Sequence, residues 1–355
     1  MTTLGIGIVG SGFMANTYAE VIVRHAQGGQ LIAIAGGTRA PALAARYGIT
    51  SEPTLDALLA RPEIDAVILA GPEQLRPEQT AQAAAAGKHI LTEKPMATSI
   101  AACDAMIAAC DAAQVQLMVV QSQRFRGVHQ RAKRLIDEGK IGQVREMRIW
   151  SLFPASWSIP VVQSRPWYSD PEAGLFMSQG VHNFDLLRWL VGSEASSIYA
   201  RVTSYGDHGI PNLSAVATIG FTNGATGQLW INMELPNATF PDSQFHSQVI
   251  GAHGLLDFDG YTHLDMAVGG EWQRVWTQPP LDPLDPLDPT RLGSFTGQVQ
   301  AFIDCIRDGQ PPLVTGADGR AAVELCQAAL LSARTGEAIR LPLRGEPTGS
   351  PQPGC

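Results

Sequence analysis

The sequence predicts an α/β chain in two parts: a doubly wound parallel sheet, then an α/β half built on a large, mostly antiparallel sheet. Three observations predict it. From Leu4 to Val120 the apolar runs LGIGIV, LIAIA, AVILA, KHILT and VQLMVV alternate with Ala-rich helical stretches, the rhythm of βαβ units whose crossover helices cover a parallel sheet. Beyond Val120 the runs SSIYARVTSY, LSAVATIGF, GATGQLWINMEL, SQVIGAHGLLDFDG and WQRVWT are strand-like, broken by Gly and Asn, with no helical pattern between them. The 355 residues, 45% hydrophobic, carry enough apolar material for two cores of ordinary size.

The first run opens directly into GIVGSGFMA and then a helical segment, so Gly10, Gly12 and Ala15 form a G-x-G-x-x-A pattern between a strand and a helix. Gly10 permits the tight turn and Gly12 lets a pyrophosphate approach the backbone. Ala15 allows close packing of the helix, whose N-terminus attracts the anion. This makes residues 1–121 a Rossmann domain for a dinucleotide, with Phe13 and Met14 beside the two glycines as candidate cofactor contacts. By itself the pattern also fits a structural turn or another nucleotide such as FAD. The second run ends in AGGTRA, where an NAD site commonly has an acidic residue for the ribose hydroxyls. Gly37, Thr38 and Arg39 stand there instead, offering a hydroxyl and a guanidinium and no repelling carboxylate. NADP is therefore the expected cofactor, with NAD the alternative. An Arg39 that merely faces solvent would look the same in sequence.

The run HILTEKPMA places Glu93, Lys94 and Pro95 at the carboxyl end of a strand, where a nicotinamide would project. An ammonium there can hydrogen-bond a substrate oxygen as its charge develops, and a proline stiffens the loop. An ordinary exposed loop lysine is the competing reading.

The second half begins near Gln121 and spans 122–343. An amphipathic helix at Val128–Glu138, closed by Gly139, leads to the strand VREMRIWSLF, a Trp-rich loop and a helix at Val181–Leu190. The threefold Leu-Asp-Pro repeat in QPPLDPLDPLDPT lacks the backbone donors of a regular element and is expected to be an extended loop. Helices follow near Phe295–Arg307 and Asp318–Ala333, and the Pro-, Gly- and Ser-rich tail 344–355 is expected to be disordered.

A net charge of −8 without a Lys/Arg block argues against nucleic acid as a partner. No run has membrane-spanning length and no leader pattern is visible, so a cytoplasmic protein is expected. The five cysteines lack CxxC pairing, and no His/Cys/carboxylate cluster has ligand spacing; neither a disulfide framework nor a metal is expected.

Taken together, the N-terminal GxGxxA, the EKP tripeptide and GLFMSQGVHNFD resemble the glucose-fructose oxidoreductase and inositol dehydrogenase (Gfo/Idh/MocA) family, over the chain to about Leu343. The resemblance implies a Rossmann domain followed by an α/β domain with a large, mainly antiparallel sheet that often mediates oligomers, here a homodimer or homotetramer. It implies an NAD(P)-dependent dehydrogenase or reductase acting on small-molecule substrates: sugars, polyols or cyclic diols, or the ketones. The family's catalytic lysine falls on Lys94, and its histidine, expected at a helix start, on His182. Ser178 stands where the family commonly has an aspartate, and Asp185 lies one turn beyond His182. After the fourth strand, AGPEQLRPEQ puts Glu73 and Arg76 in place of the family's frequent Asn and His near the cofactor.

Trp150, Phe153, Trp157, Trp167, Tyr168 and Phe176 crowd before His182 and can wall a substrate pocket or simply build the core, while Arg124, Arg126 and Arg165 can hold a carboxylate or hydroxyl. The expected activity is NADP-dependent hydride transfer on a secondary alcohol or ketone of a sugar, polyol or related cyclic compound. A dihydrodiol dehydrogenase of aromatic breakdown, a non-redox glycosidase with retained cofactor and a nucleotide-binding regulatory protein are the alternatives.

Overall fold

A computed structural model of the chain describes residues 3–164, 174–206, 208–236, 245–279 and 289–343. It divides into two compact units, Met1–Gln130 with Gln278–Val323, and Arg131–Thr277 with Glu324–Cys355. This differs from a single cut at Gln121: the first unit runs nine residues further and takes in a later segment of the chain.

In the first unit the strands β1 (Leu4–Val9), β2 (Gly29–Ala35), β3 (Thr50–Glu52), β4 (Ala66–Leu69), β5 (His89–Thr92) and β6 (Leu117–Val119) form one sheet in the order β3-β2-β1-β4-β5-β6. All of its described pairings are parallel. The strands are apolar runs because both faces are covered: β4 is buried throughout. Between them run α1 (Phe13–Arg24), α2 (Ala40–Tyr47), α3 (Leu55–Leu59), α4 (Arg76–Ala85) and α5 (Ile100–Ala113). Chain direction across the sheet reverses between β1 and β4, and ligands of such sheets sit at the carboxyl ends of the strands flanking that point. The polar edge strand β3 (TSE) has no apolar pattern, and the five runs read from sequence did not include it.

The second unit holds β7 (Val144–Pro154), which follows the helix α6 (Gly127–Asp137), then α7 (Ala155–Gln163), α8 (Val181–Val191), β8 (Ala195–Thr203), β9 (Ser214–Phe221), β10 (Thr226–Leu235), β11 (Phe245–Gly251), β12 (Gly254–Asp259), β13 (His263–Val268) and β14 (Glu271–Thr277). After α9 (Pro289–Asp308) and α10 (Gly316–Thr335), β15 (Ile339–Arg340) completes a nine-stranded sheet ordered β14-β13-β12-β11-β7-β10-β9-β8-β15. It is mostly antiparallel, with a parallel β7–β10 pair.

Register makes the sheet two-faced. Ala200, Ala217, Leu229 and Ile149 lie side by side across four strands and are buried. The adjacent row, Arg201, Val216, Trp230 and Trp150, lies on the opposite face because successive side chains alternate; Val216 is 49% and Trp230 43% exposed. On the covered face, the Ser332 hydroxyl of α10 accepts from the Ala200 N–H at 2.9 Å, and the Asn183 carboxamide of α8 accepts from the Ser151 hydroxyl at 3.2 Å.

Two local expectations are corrected. The Trp-rich stretch after β7 begins as a helix, α7, despite Pro160, which removes one backbone donor; the Ser158 hydroxyl bonds back to the Pro154 carbonyl at 3.0 Å. His182 does not open a helix. Gly174 and Leu175 are already helical and lead through a π turn, Phe176–Gly180, straight into α8. Trp167, Tyr168, Arg165, the Leu-Asp-Pro repeat (281–289) up to residue 288 and the tail 344–355 lie outside the described residues, and Pro289, the repeat's last residue, opens α9.

Candidate active site

At the nucleotide end of the first unit, Gly10 follows β1 with φ +117°. A Cβ there would stand 2.9 Å from the Ala70 carbonyl carbon and oxygen and 3.0 Å from the Gly71 nitrogen, so only glycine fits where β1 and β4 diverge. Gly12 caps α1 in extended conformation, and the first turn of α1 holds no acidic residue, leaving its positive end unopposed. A Cβ at Gly12 would meet nothing nearer than Arg39 Nη2 at 3.7 Å. An open backbone cradle, free N–H groups at a helix start and a guanidinium over the loop fit the phosphates of a dinucleotide. Phe13, first in α1, is 63% exposed, and Met14 is half-buried.

Gly36, Gly37, Thr38 and Arg39 form an exposed loop at the carboxyl end of β2, both glycines with positive φ. A side chain on Gly37 would overlap the Ser11 hydroxyl, so this glycine lets the β2 loop approach the β1 loop. Glu52 of β3, in register with Ala35, is engaged by Arg61 at 2.8 Å.

Lys94 follows β5, half-buried, with a cis peptide to Pro95. Its backbone N–H donates to Glu93 Oε2 at 3.1 Å. Glu93 is 5% exposed, and its other oxygen accepts from the Tyr18 hydroxyl of α1, which in turn accepts from Gln298 Nε2 of α9 at 3.1 Å. Burial, reinforced by the Glu93 charge, holds the Tyr18 phenol well above its ordinary pKa, so it stays a donor. Glu93, expected among the cofactor contacts, thus has both carboxylate oxygens engaged by the protein. Tyr18 and Gln298 were missed; the available signal was a tyrosine on the apolar stripe of α1, since a buried phenol needs a polar partner.

Arg124 shares the unit but is not turned to solvent: it is 5% exposed, Nη2 lies 3.1 Å from Asp318 Oδ1 of α10, and Nη1 donates to the Leu313 carbonyl at 3.3 Å. The guanidinium expected to clamp a substrate is thus engaged by the protein's own acceptors.

In the second unit Ser178, His182 and Asp185 lie on the helical run through the π turn and α8. Ser178 is buried and its hydroxyl donates to the Leu175 carbonyl at 3.1 Å. Asp185 is fully buried. His182 is half-buried, as are Arg188 and Trp189, while the other positions of α8 are buried. Gly180 sits close beside the ring of Phe176, which a Cβ would approach to 3.0 Å.

Among the described residues no group of His, Cys, Asp and Glu is placed to hold a metal, and no helix is long and apolar enough to cross a membrane. The described cysteines are buried and form no disulfide among themselves, burial pushing the Cys103 and Cys110 thiols up to about 12.

The fold and the glycine cradle define a dinucleotide-dependent oxidoreductase with a second, α/β unit besides its nucleotide domain. Residues 4–121 match the model of the oxidoreductase family with NAD-binding Rossmann fold, and residues 129–257 match the GFO/IDH/MocA C-terminal domain. The chain belongs to the Gfo/Idh/MocA family and is an NAD(P)-dependent dehydrogenase acting on CH–OH groups. It is 28% identical to inositol 2-dehydrogenase of Rhizobium meliloti over 335 residues, covering 93% of this chain and 97% of that one. It is 26% identical to scyllo-inositol 2-dehydrogenase (NAD(+)) of Bacillus subtilis, over 96% and 97%. Among solved structures, aldose-aldose oxidoreductase from Caulobacter crescentus, complexed with glycerol, superposes with a TM-score of 0.80 at 26% identity, covering 96% of this chain and all of that one.

Proposed function

We propose that the chain transfers a hydride between NADP and a secondary alcohol or ketone of a sugar, polyol or related cyclic compound. The observation that carries this reading is the placement of Lys94 and the Gly10–Gly12 loop at the carboxyl ends of β5 and β1, on either side of β4 in one sheet. The names of its relatives, two inositol dehydrogenases and an aldose oxidoreductase, supply the substrate class. When bound, the nicotinamide accepts or returns the hydride. Gly10, Gly12 and the head of α1 hold the phosphates, with Phe13 and Met14 beside them. Lys94 donates a hydrogen bond to the substrate oxygen and stabilises its developing charge. His182 takes the hydroxyl proton in oxidation and returns it in reduction. Ser178 cannot carry negative charge at neutral pH, so proton transfer rests on His182 and Lys94, with Asp185 one turn away to orient the imidazole.

Arg39 and Thr38 support NADP over NAD. Screening myo-inositol, scyllo-inositol, apiose and glucose for absorbance change with each cofactor tests the reading, and kcat/KM is expected to favour NADP by about tenfold or more. Arg39→Ala is expected to erase most of that preference, about 1.4 kcal/mol, while NAD turnover stays within about twofold. A wild type that binds NAD tenfold tighter than NADP removes the assignment.

The open face of the nine-stranded sheet, with Trp230 and Val216 in register, supports a homodimer or homotetramer through this sheet. Sedimentation velocity is expected to show Trp230→Glu lighter than wild type; a wild type that is itself monomeric ends this part of the proposal.

A further inference from the structure

Arg76 opens α4 and is 6% exposed, although a guanidinium keeps its charge wherever it is placed. It spends its donors on backbone oxygens. Nη1 donates to the carbonyl of Glu93 at 3.1 Å and to the carbonyl of Pro95, the residues immediately before and after Lys94. Nε and Nη2 donate to the Gly71 carbonyl at 3.2 and 2.9 Å. Gly71 follows the end of β4 and forms part of the wall that excludes a side chain at Gly10. One planar group therefore spans from the edge of the glycine loop to both shoulders of the lysine. Its buried charge faces Glu93 and Glu73, whose attraction opposes the burial that lowers its pKa.

We propose that Arg76 is a positioning residue for Lys94, fixing the lysine's aim relative to the bound dinucleotide. The proposal rests on the reading of Lys94 as the group that meets the substrate oxygen. No contact of Arg76 requires it to touch cofactor or substrate; it acts through the backbone that carries the lysine. A loop with two flanking carbonyls released keeps its sequence but not its geometry, and a misplacement of about 1 Å at a reacting group costs roughly 10²-fold in rate. Lysine in its place keeps the charge but cannot span three carbonyls, because an ammonium on a flexible stem lacks the rigid fork.

The test compares Arg76→Lys, Arg76→Ala and Lys94→Ala in the full chain, using NADP⁺ and the polyol or sugar of the panel with the highest turnover. Arg76→Ala is expected to lower kcat roughly 10- to 100-fold, with the Kd for NADP⁺, read by tryptophan fluorescence, within about twofold. Guanidinium ion at millimolar concentration is expected to restore at least fivefold of the lost kcat to Arg76→Ala and nothing to Lys94→Ala. Arg76→Lys is expected to fall between, and it carries the test through the same split of kcat from Kd if the alanine variant fails to fold. A kcat within twofold of wild type in either folded Arg76 variant overturns the proposal. So does a loss that tracks NADP⁺ affinity and resists guanidinium, which is the behaviour of a merely structural residue. If Lys94→Ala itself turns over normally, the reading of the lysine fails and this proposal with it; if only the Arg76 variants do, the lysine reading stands.

Discussion

Replacing Lys94 with alanine is expected to lower kcat by roughly 10³-fold, about 4 kcal/mol of barrier, while the Kd for NADP⁺ stays within about twofold. The two effects separate because different groups carry them. The phosphates are expected at Gly10, Gly12 and the unopposed head of α1, which the substitution does not touch. The lysine stands at the end of β5, its own N–H fixed by Glu93 and the carbonyls on either side of it held by Arg76, so the backbone that carries its ammonium is held in place. A donor already oriented toward an oxygen that gains charge only during reaction stabilises the transition state more than the ground state, which is the condition for an effect on kcat. Lys94→Arg keeps the charge but presents a wider planar fork, and it is expected to recover less than a tenth of wild-type turnover. Steady-state kinetics with NADP⁺ in excess decides the matter; alanine turnover within tenfold of wild type would take Lys94 out of the mechanism.

The parts of the molecule that were legible in sequence are those where backbone geometry dictates residue type. Gly10 must be glycine because its φ is positive and Ala70 fills the space of a Cβ, and LGIGIV must be apolar because β1 is covered on both faces. Elements that rest on tertiary contacts were not legible. Thr50–Glu52 is a strand because β2 offers it an edge, not because TSE prefers to be extended. Ala155–Gln163 is a helix in spite of Pro160. The π turn at Phe176–Gly180 has no composition that announces it, which is why the helix read as starting at Val181, with His182 at its head. In the site, the same division holds. The glycines and the lysine follow from motif and strand position, whereas the work of Arg76 and Arg124 is done on carbonyl oxygens and a distant aspartate, partners that leave no mark near the arginine in sequence.

That last point makes Arg124 the residue whose substitution separates a binding role from a structural one. Arg124→Met is expected to destabilise the first unit by about 3–5 kcal/mol, a fall of roughly 10 °C in its thermal transition, because it strands the Asp318 carboxylate and the Leu313 carbonyl where their donor has been removed. Asp318 has further duties at the start of α10, accepting from the Thr315 N–H and hydroxyl at 2.9 Å each. Its removal by alanine would confound the cycle, whereas Asp318→Asn keeps an acceptor for Thr315 and abolishes the charge. The double variant Arg124→Met/Asp318→Asn is therefore expected to regain part of the loss, since replacing both members of a buried pair costs less than orphaning one. Differential scanning calorimetry of the four proteins gives the cycle, and the KM of each for the chosen polyol or sugar gives the contrast. An Arg124→Met protein that melts within a degree or two of wild type but needs tenfold more substrate would place the guanidinium at the substrate after all. Near-normal KM in a protein that has lost most of its thermal margin means that the chain uses this arginine to fasten α10 to the segment after β6.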